Sequence, residues 1–211
     1  MIQVQNLHIV TRETLLKDSN FTFKDALIYG ISAPNGSGKT TLLRVLAGLK
    51  PANRGQIIFK ENQLFLKSKD VRQKLFYYET SEWFNPNLSA WDYLQFVQKM
   101  WTSTSADLAE IIQFWELEEF LKIPIRKYSL GMKQKTLLAM YAVSQTTYWL
   151  LDEPTNGLDY KNQERFVTFI EQAKASGKTI IFTSHQDDKM YAISDEIVQI
   201  HDRKLQTTIE I

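Results

Sequence analysis

Residues 33–41 read Ala-Pro-Asn-Gly-Ser-Gly-Lys-Thr-Thr, a loop whose composition suits it to gripping a phosphate. Ala33, Pro34, Asn35, Gly36, Ser37 and Gly38 make a glycine-rich turn; Lys39, Thr40 and Thr41 open a helical pattern continued by Leu42, Leu43, Val45 and Leu46. An apolar run at residues 26–31 precedes it. Strand, glycine-rich loop and helix, with Gly-Lys-Thr at the helix start, is the setting in which this motif binds phosphate. Backbone N–H groups of Gly36, Ser37 and Gly38 are expected to wrap a β-phosphate, and the helix N-terminus adds partial positive charge. Lys39 would reach the β- and γ-oxygens, and the Thr40 hydroxyl would face Mg²⁺. A glycine-rich turn with a chance lysine is the plain alternative; the flanking strand and helix argue against it.

Three further stretches bear on the same chemistry. Trp149-Leu-Leu-Asp152-Glu153 is an apolar strand ending in adjacent carboxylates. At the strand's carboxyl end Asp152 would sit beside the loop and hold Mg²⁺ through water, and Glu153 would orient a water for in-line attack on the γ-phosphate. A solvated acidic turn is the alternative. Thr179-Ile-Ile-Phe-Thr-Ser-His185 is another apolar strand with a polar exit. A lone histidine is usually a surface group, but strand ends in this architecture converge on the ligand crevice, which favours a contact from His185 to the γ-phosphate. Tyr128-Ser-Leu-Gly-Met-Lys-Gln134 precedes a helix. Ser129 is expected to cap it, and the loop offers free N–H groups to an anion. His8 and His201 lack such context and are read as structural.

The elements that must hold these residues form an α/β pattern. Strands are expected at 2–9, 15–23, 26–31, 56–59, 75–78, 148–151, 179–182 and 196–200. Helices follow the phosphate loop, ending near Gly48, and span 162–174, stopped by Gly177. From 88 to 122 the period turns helical: Trp91, Leu94, Phe96, Val97 and Met100 form one apolar series, and helices over 106–114 and 117–121 follow. Charged residues 67–74 read as a solvated face.

Bulk composition narrows the classes. The chain has 211 residues, 44% hydrophobic, with net charge +1 and no cysteine. One domain, or one with a lobe, is expected. The near-neutral charge gives no basic footprint for nucleic acid. Thiolate and disulfide chemistry are out, which suits a reducing compartment. The N-terminus does not read as a signal peptide, and no apolar run nears the roughly 18 residues of a membrane span. A membrane role must come through another polypeptide.

Lys39, the Ser129 loop, Asp152-Glu153, Asn156-Gly-Leu-Asp159 and His185, in that order, resemble the nucleotide-binding domain of ATP-binding cassette (ABC) proteins over essentially the whole chain. The resemblance implies a P-loop NTPase: a RecA-like α/β core, an antiparallel β lobe, and a helical subdomain at roughly 82–142 inserted into a single 1–211 domain. It implies a head-to-tail pair of ATPase domains, homodimer or heterodimer. Each ATP is then clamped between one phosphate loop and the partner's loop at Ser129 and Gly131, and Asp159 links the two sites. It also implies ATP and Mg²⁺ as ligands and a separate transmembrane permease subunit. The place is cytoplasmic, peripheral to the inner face of the membrane. The form Ser-Leu-Gly-Met-Lys-Gln is similar to subunits of bacterial drug, bacteriocin or polysaccharide exporters.

Four departures qualify the resemblance. Ala33 replaces an opening glycine, tolerable if its φ stays negative. The signature loop, usually Leu-Ser-Gly-Gly-Gln, here reads Tyr128-Ser-Leu-Gly-Met132, with Leu130 in place of a glycine and Met132 in place of the glutamine while Ser129 and Gly131 are kept. Thr80 stands where a glutamine contacts Mg²⁺ and couples to the membrane subunit, and is shorter. No aromatic precedes Phe21 near Val10 and Thr11, where one would stack on adenine. Trp83, Phe84, Trp91, Tyr93, Phe96 and Trp101 cluster in the helical stretch; they pack a small lobe or form a groove for a helix of the membrane subunit. The rivals are a ribosome- or DNA-acting ABC protein, which usually has two cassettes or a long coiled coil, and an ATP-dependent switch that scarcely hydrolyses. The short C-terminus argues against an appended regulatory domain.

Overall fold

The computed structural model describes residues 1–34, 36–61, 64–101, 103, 106–184 and 189–208, with only the backbone of 189 and 190. In chain order the elements are β1 (Ile2–Val10), β2 (Thr14–Phe23), β3 (Ile28–Ser32), α1 (Lys39–Leu46), β4 (Arg54–Glu61), β5 (Leu64–Phe65), α2 (Ser68–Lys74) and β6 (Leu75–Tyr77), then α3 (Ala90–Met100), α4 (Leu108–Phe114), α5 (Leu130–Ser144), β7 (Tyr148–Asp152), α6 (Tyr160–Ala175), β8 (Thr179–Ser184), β9 (Glu196–His201) and β10 (Lys204–Thr207). They form two units: residues 1–77, 147–153 and 167–211, and residues 78–146 and 154–166.

The first unit holds two sheets. One is antiparallel, in the order β2-β1-β4-β5. Its inner face carries Ile2, Val4, Leu7 and Ile9, a series that changes parity between Val4 and Leu7. Asn6, at φ 48°, makes the irregularity that returns Leu7 to the core. Gly55 faces it because a Cβ there would stand 2.3 Å from the Asn6 carbonyl oxygen. The other sheet runs β10-β9-β3-β8-β7-β6, parallel throughout except for β10 against β9. Every residue of β3 and β8 is buried, as parallel strands covered on both faces require. Leu42, Leu43, Val45 and Leu46 of α1 join the core with Tyr29 and Ile31 of β3 and the inner face of β1.

In the second unit α5 buries residues 136–141 in succession, a helix enclosed on all sides. Ser89 caps α3, accepting from the Asp92 N–H while Asp92 accepts from the Ser89 N–H. The Tyr128 hydroxyl donates to the Phe120 carbonyl at 2.6 Å and accepts from the Ala90 N–H at 3.1 Å, tying the α3 start to the segment before α5.

Three expectations differ from what forms. Residues 117–121 are not helical: Glu116 adopts φ 51°, ends α4, and Leu117 and Phe120 are buried from turns instead. The apolar series on α3 is split, with Leu94 and Val97 buried but Phe96 and Met100 57% and 59% exposed. Strands β5 and β10 were not expected; at 2 and 4 residues they are too short to show a period.

Candidate functional site

The carboxyl edge of the parallel sheet brings three strand ends side by side. Ser32 of β3 pairs with Ser184 of β8, and Thr183 of β8 pairs with Asp152 of β7. The loop after β3 and the pair Asp152-Glu153 therefore leave neighbouring positions on one edge, where ligands of open α/β sheets collect.

In that loop Ala33 is buried, Pro34 exposed, and Gly36 and Gly38 take φ of 76° and 96°. Gly36 meets nothing within 4 Å, so its left-handed backbone, not crowding, calls for glycine. The Ser37 N–H closes a turn onto the Pro34 carbonyl at 3.1 Å, so in this conformation it is engaged within the loop. The Ser37 hydroxyl is buried without a protein partner. Lys39, 5% exposed, arches back so that its Nζ donates to the Ala33 carbonyl at 2.8 Å. Its ammonium is thus held against the loop at the start of α1. Thr41 borders a cleft of about 720 Å³ lined also by residues 11–15, 36–38, Ile200 and Arg203. Asn35 and His185 lie outside the described residues.

The Thr40 hydroxyl donates to Oδ2 of Asp152 at 2.5 Å. The other carboxylate oxygen, Oδ1, accepts from the Thr183 hydroxyl, also at 2.5 Å. Thr183 in turn accepts from the Glu153 N–H at 3.0 Å. Glu153 itself has φ 45°, a left-handed conformation costing a side-chain-bearing residue roughly 1–2 kcal/mol. Strained backbone at a candidate chemical group is where such cost is tolerated.

Ser129, Gly131, Thr80 and Asp159 belong to the second unit. Ser129 caps α5, its hydroxyl accepting from the Met132 N–H at 3.2 Å. A Cβ on Gly131 would come 3.0 Å from the Gly157 carbonyl oxygen. The Ser129–Gly131 loop thus packs against the segment leading to Asp159. Asp159 starts α6, with Oδ1 accepting from the backbone and side-chain N–H of Asn162. Those two bonds, backbone first, hold its carboxyl below the ordinary range. The Thr80 hydroxyl accepts from the Glu82 N–H at 3.2 Å, capping a short 3-10 turn.

Two residues with structural claims on the site had no role assigned from sequence. Thr183 lies inside an apolar run, and only the β7–β8 register brings it to Asp152. Gln134, 4% exposed, donates from Nε2 to the Pro154 carbonyl at 2.7 Å, anchoring the residue after Glu153. Its place in the motif was visible; its partner was not.

The family described as ABC transporter matches residues 16–156. An uncharacterized ABC transporter ATP-binding protein, YybJ of Bacillus subtilis, is 32% identical over 100% of this chain and 97% of its own length. The lantibiotic transport ATP-binding protein SrtF of Streptococcus pyogenes is 30% identical over 97% of this chain and 89% of its own. A dimeric ATP-binding cassette in a post-hydrolysis state with ADP and Pi superposes with TM-score 0.84 at 21% identity, over 99% of this chain and 98% of its own, a likeness of fold. By the family match over residues 16–156 and the 32% identity to YybJ along the full chain, this protein belongs to the ABC transporter family as an ATP-binding subunit.

Proposed function

We propose that this subunit hydrolyses ATP in a head-to-tail pair of ATPase domains and drives an exporter through a separate transmembrane subunit. The observation that carries the chemistry is the contact of Thr40 with Asp152, directly followed by Glu153. A hydroxyl and a carboxylate are two hard oxygen donors, and no group of three His, Cys, Asp or Glu suited to a metal occurs among the described residues. A pair instead of a cage fits Mg²⁺, which keeps waters and shares substrate phosphate oxygens. Thr40 and Asp152 would hold it, and it would neutralise charge on the phosphoryl group.

The remaining steps belong to the chain's own groups. The loop's N–H groups and the α1 N-terminus bind the phosphates of ATP. Lys39, already held against the loop, balances charge on the transferring γ-phosphoryl group. Glu153 orients a water and accepts its proton. The water oxygen bonds to the γ-phosphorus as the bond to the bridging oxygen breaks, and that oxygen leaves with ADP. His185 contacts the γ-phosphate. Ser129 and Gly131 of the partner subunit close the site from the other side, and Asp159 joins the two sites.

The exporter reading is supported by the relative named for lantibiotic transport and by a second, the linearmycin resistance protein LnrL of Bacillus subtilis, 27% identical over 93% of this chain and 65% of its own length. Among the described residues no helix is long and apolar enough to cross a membrane. On the second unit Trp83, Phe96 and Met100 are 55%, 57% and 59% exposed. These side chains suit a face that receives a helix of the membrane subunit. Steady-state phosphate release tests hydrolysis. Co-purification from detergent-solubilised membranes, with the bound polypeptide identified, tests the transport assembly; a chain that hydrolyses ATP yet retains no membrane protein would sink the transporter reading.

A further inference from the structure

We infer that Thr183 is a positioning residue that orients both carboxylates of the site, Asp152 and Glu153, through one buried hydroxyl. This rests on the hydrolytic reading above. Thr183 is fully buried in β8, and its register opposite Asp152 sets its side chain at the carboxyl edge of the sheet. A hydroxyl has one proton, and Thr183 gives it to Oδ1 of Asp152 at 2.5 Å. Its lone pair then receives the Glu153 N–H at 3.0 Å. The direction of the chain is fixed: Glu153 N–H to Thr183 O–H to the Asp152 carboxylate. With Thr40 on Oδ2, each oxygen of Asp152 is held by a different hydroxyl, one from α1 and one from β8. Rotation of that carboxylate is therefore restrained from both sides.

The second bond bears on Glu153. Its backbone sits at φ 45°, which a side-chain-bearing residue disfavours, so relaxation of that backbone would change the direction in which its side chain leaves the chain. The Thr183 hydroxyl is the group that takes the Glu153 N–H in this conformation. One hydroxyl thus couples the metal-side carboxylate to the proton-accepting one. Both functions should fail together when it is removed, while the phosphate loop, which does not contain it, keeps its grip on nucleotide.

The test is Thr183→Val, which keeps the shape and deletes the hydroxyl, beside Thr183→Ser, which keeps the hydroxyl. Phosphate release is measured against ATP and against Mg²⁺, together with ATP binding in EDTA and melting temperature. The valine variant is expected to lose about tenfold to hundredfold in kcat, as partners of metal ligands do, and to need several-fold more Mg²⁺ for half-maximal rate. Its ATP binding in EDTA should match wild type, and the serine variant should recover most of the rate. Thr183→Ala repeats the measurement if the valine fails to fold. A valine variant with wild-type rate and Mg²⁺ dependence overturns the inference. So does a serine variant as impaired as the valine, which would make the methyl group the important part. If the wild-type chain releases no phosphate, the hydrolytic reading fails by itself, and the Mg²⁺ dependence of ATP affinity in the two variants still decides the role of Thr183.

Discussion

The Thr40 hydroxyl donates to Asp152 at 2.5 Å across a separation of 112 residues, joining the first turn of α1 to the last residue of β7. The two lie on different elements, and the order β3-β8-β7 in the sheet lets them meet. Asp152→Asn tests what the contact is for. The amide keeps one acceptor oxygen, so only one of the hydroxyls of Thr40 and Thr183 can still donate to it. Phosphate release is expected to fall at least about tenfold with a raised Mg²⁺ requirement. Unchanged Mg²⁺ dependence would take Asp152 out of the metal site.

Glu153→Gln separates binding from hydrolysis. Glutamine keeps the backbone N–H that Thr183 accepts and nearly the same shape, but it cannot take a proton from water. The variant should bind ATP with wild-type affinity, release almost no phosphate, and accumulate as a dimer in gel filtration with light scattering. Turnover near the wild-type rate would assign the proton acceptor elsewhere.

What the sequence made legible follows from how local each signal is. The phosphate loop, the Asp152-Glu153 strand end and the Ser129 cap are contiguous motifs, and α1, β7 and α5 formed beside them as expected. The role of Thr183 was illegible because it depends on which strand lies beside which. Residues 117–121 looked helical from their apolar spacing, but the period carries no sign of the left-handed Glu116 that breaks the helix. Phe96 and Met100 fell on the α3 series by count, yet the core is narrower than the series, and only Ala90, Leu94 and Val97 are enclosed. The Asn6 irregularity was half legible, since the apolar residues of β1 already change parity there.

Glu116 gives the second unit an acid-sensitive contact. Its carboxylate accepts from Arg165 at 2.6 Å and Lys161 at 2.9 Å, and these bonds, Arg165 first, lower its pKa from 4.5 to about 2. The depressed value means the folded state holds fewer protons than the unfolded one. Its stabilisation is therefore full above pH 4.5 and fades as pH falls toward about 2. The group is 46% exposed, so solvent screens the contribution. Arg165→Ala should lower the melting temperature slightly near neutral pH and flatten its fall between pH 4.5 and 3. Parallel curves for the variant and wild type would show that the pair contributes nothing on folding.

The cleft beside the phosphate loop bears on nucleotide choice. Of the described residues lining it, none is aromatic; Thr11, Arg12, Glu13, Thr14, Ser37, Thr41 and Arg203 are the polar ones. The sequence already lacked a ring near Val10 and Thr11, and the described residues of this wall bring none from elsewhere. Stacking of a base on an aromatic ring is worth roughly 1–3 kcal/mol, so its absence leaves the phosphates to carry most of the affinity. ATP and GTP are therefore expected to compete nearly equally. Thr11→Tyr, at an exposed position on the rim, should tighten ATP binding by about fivefold or more if the ring reaches the base. A competition assay in which the unaltered chain strongly prefers ATP would mean that polar groups of this cleft read the base.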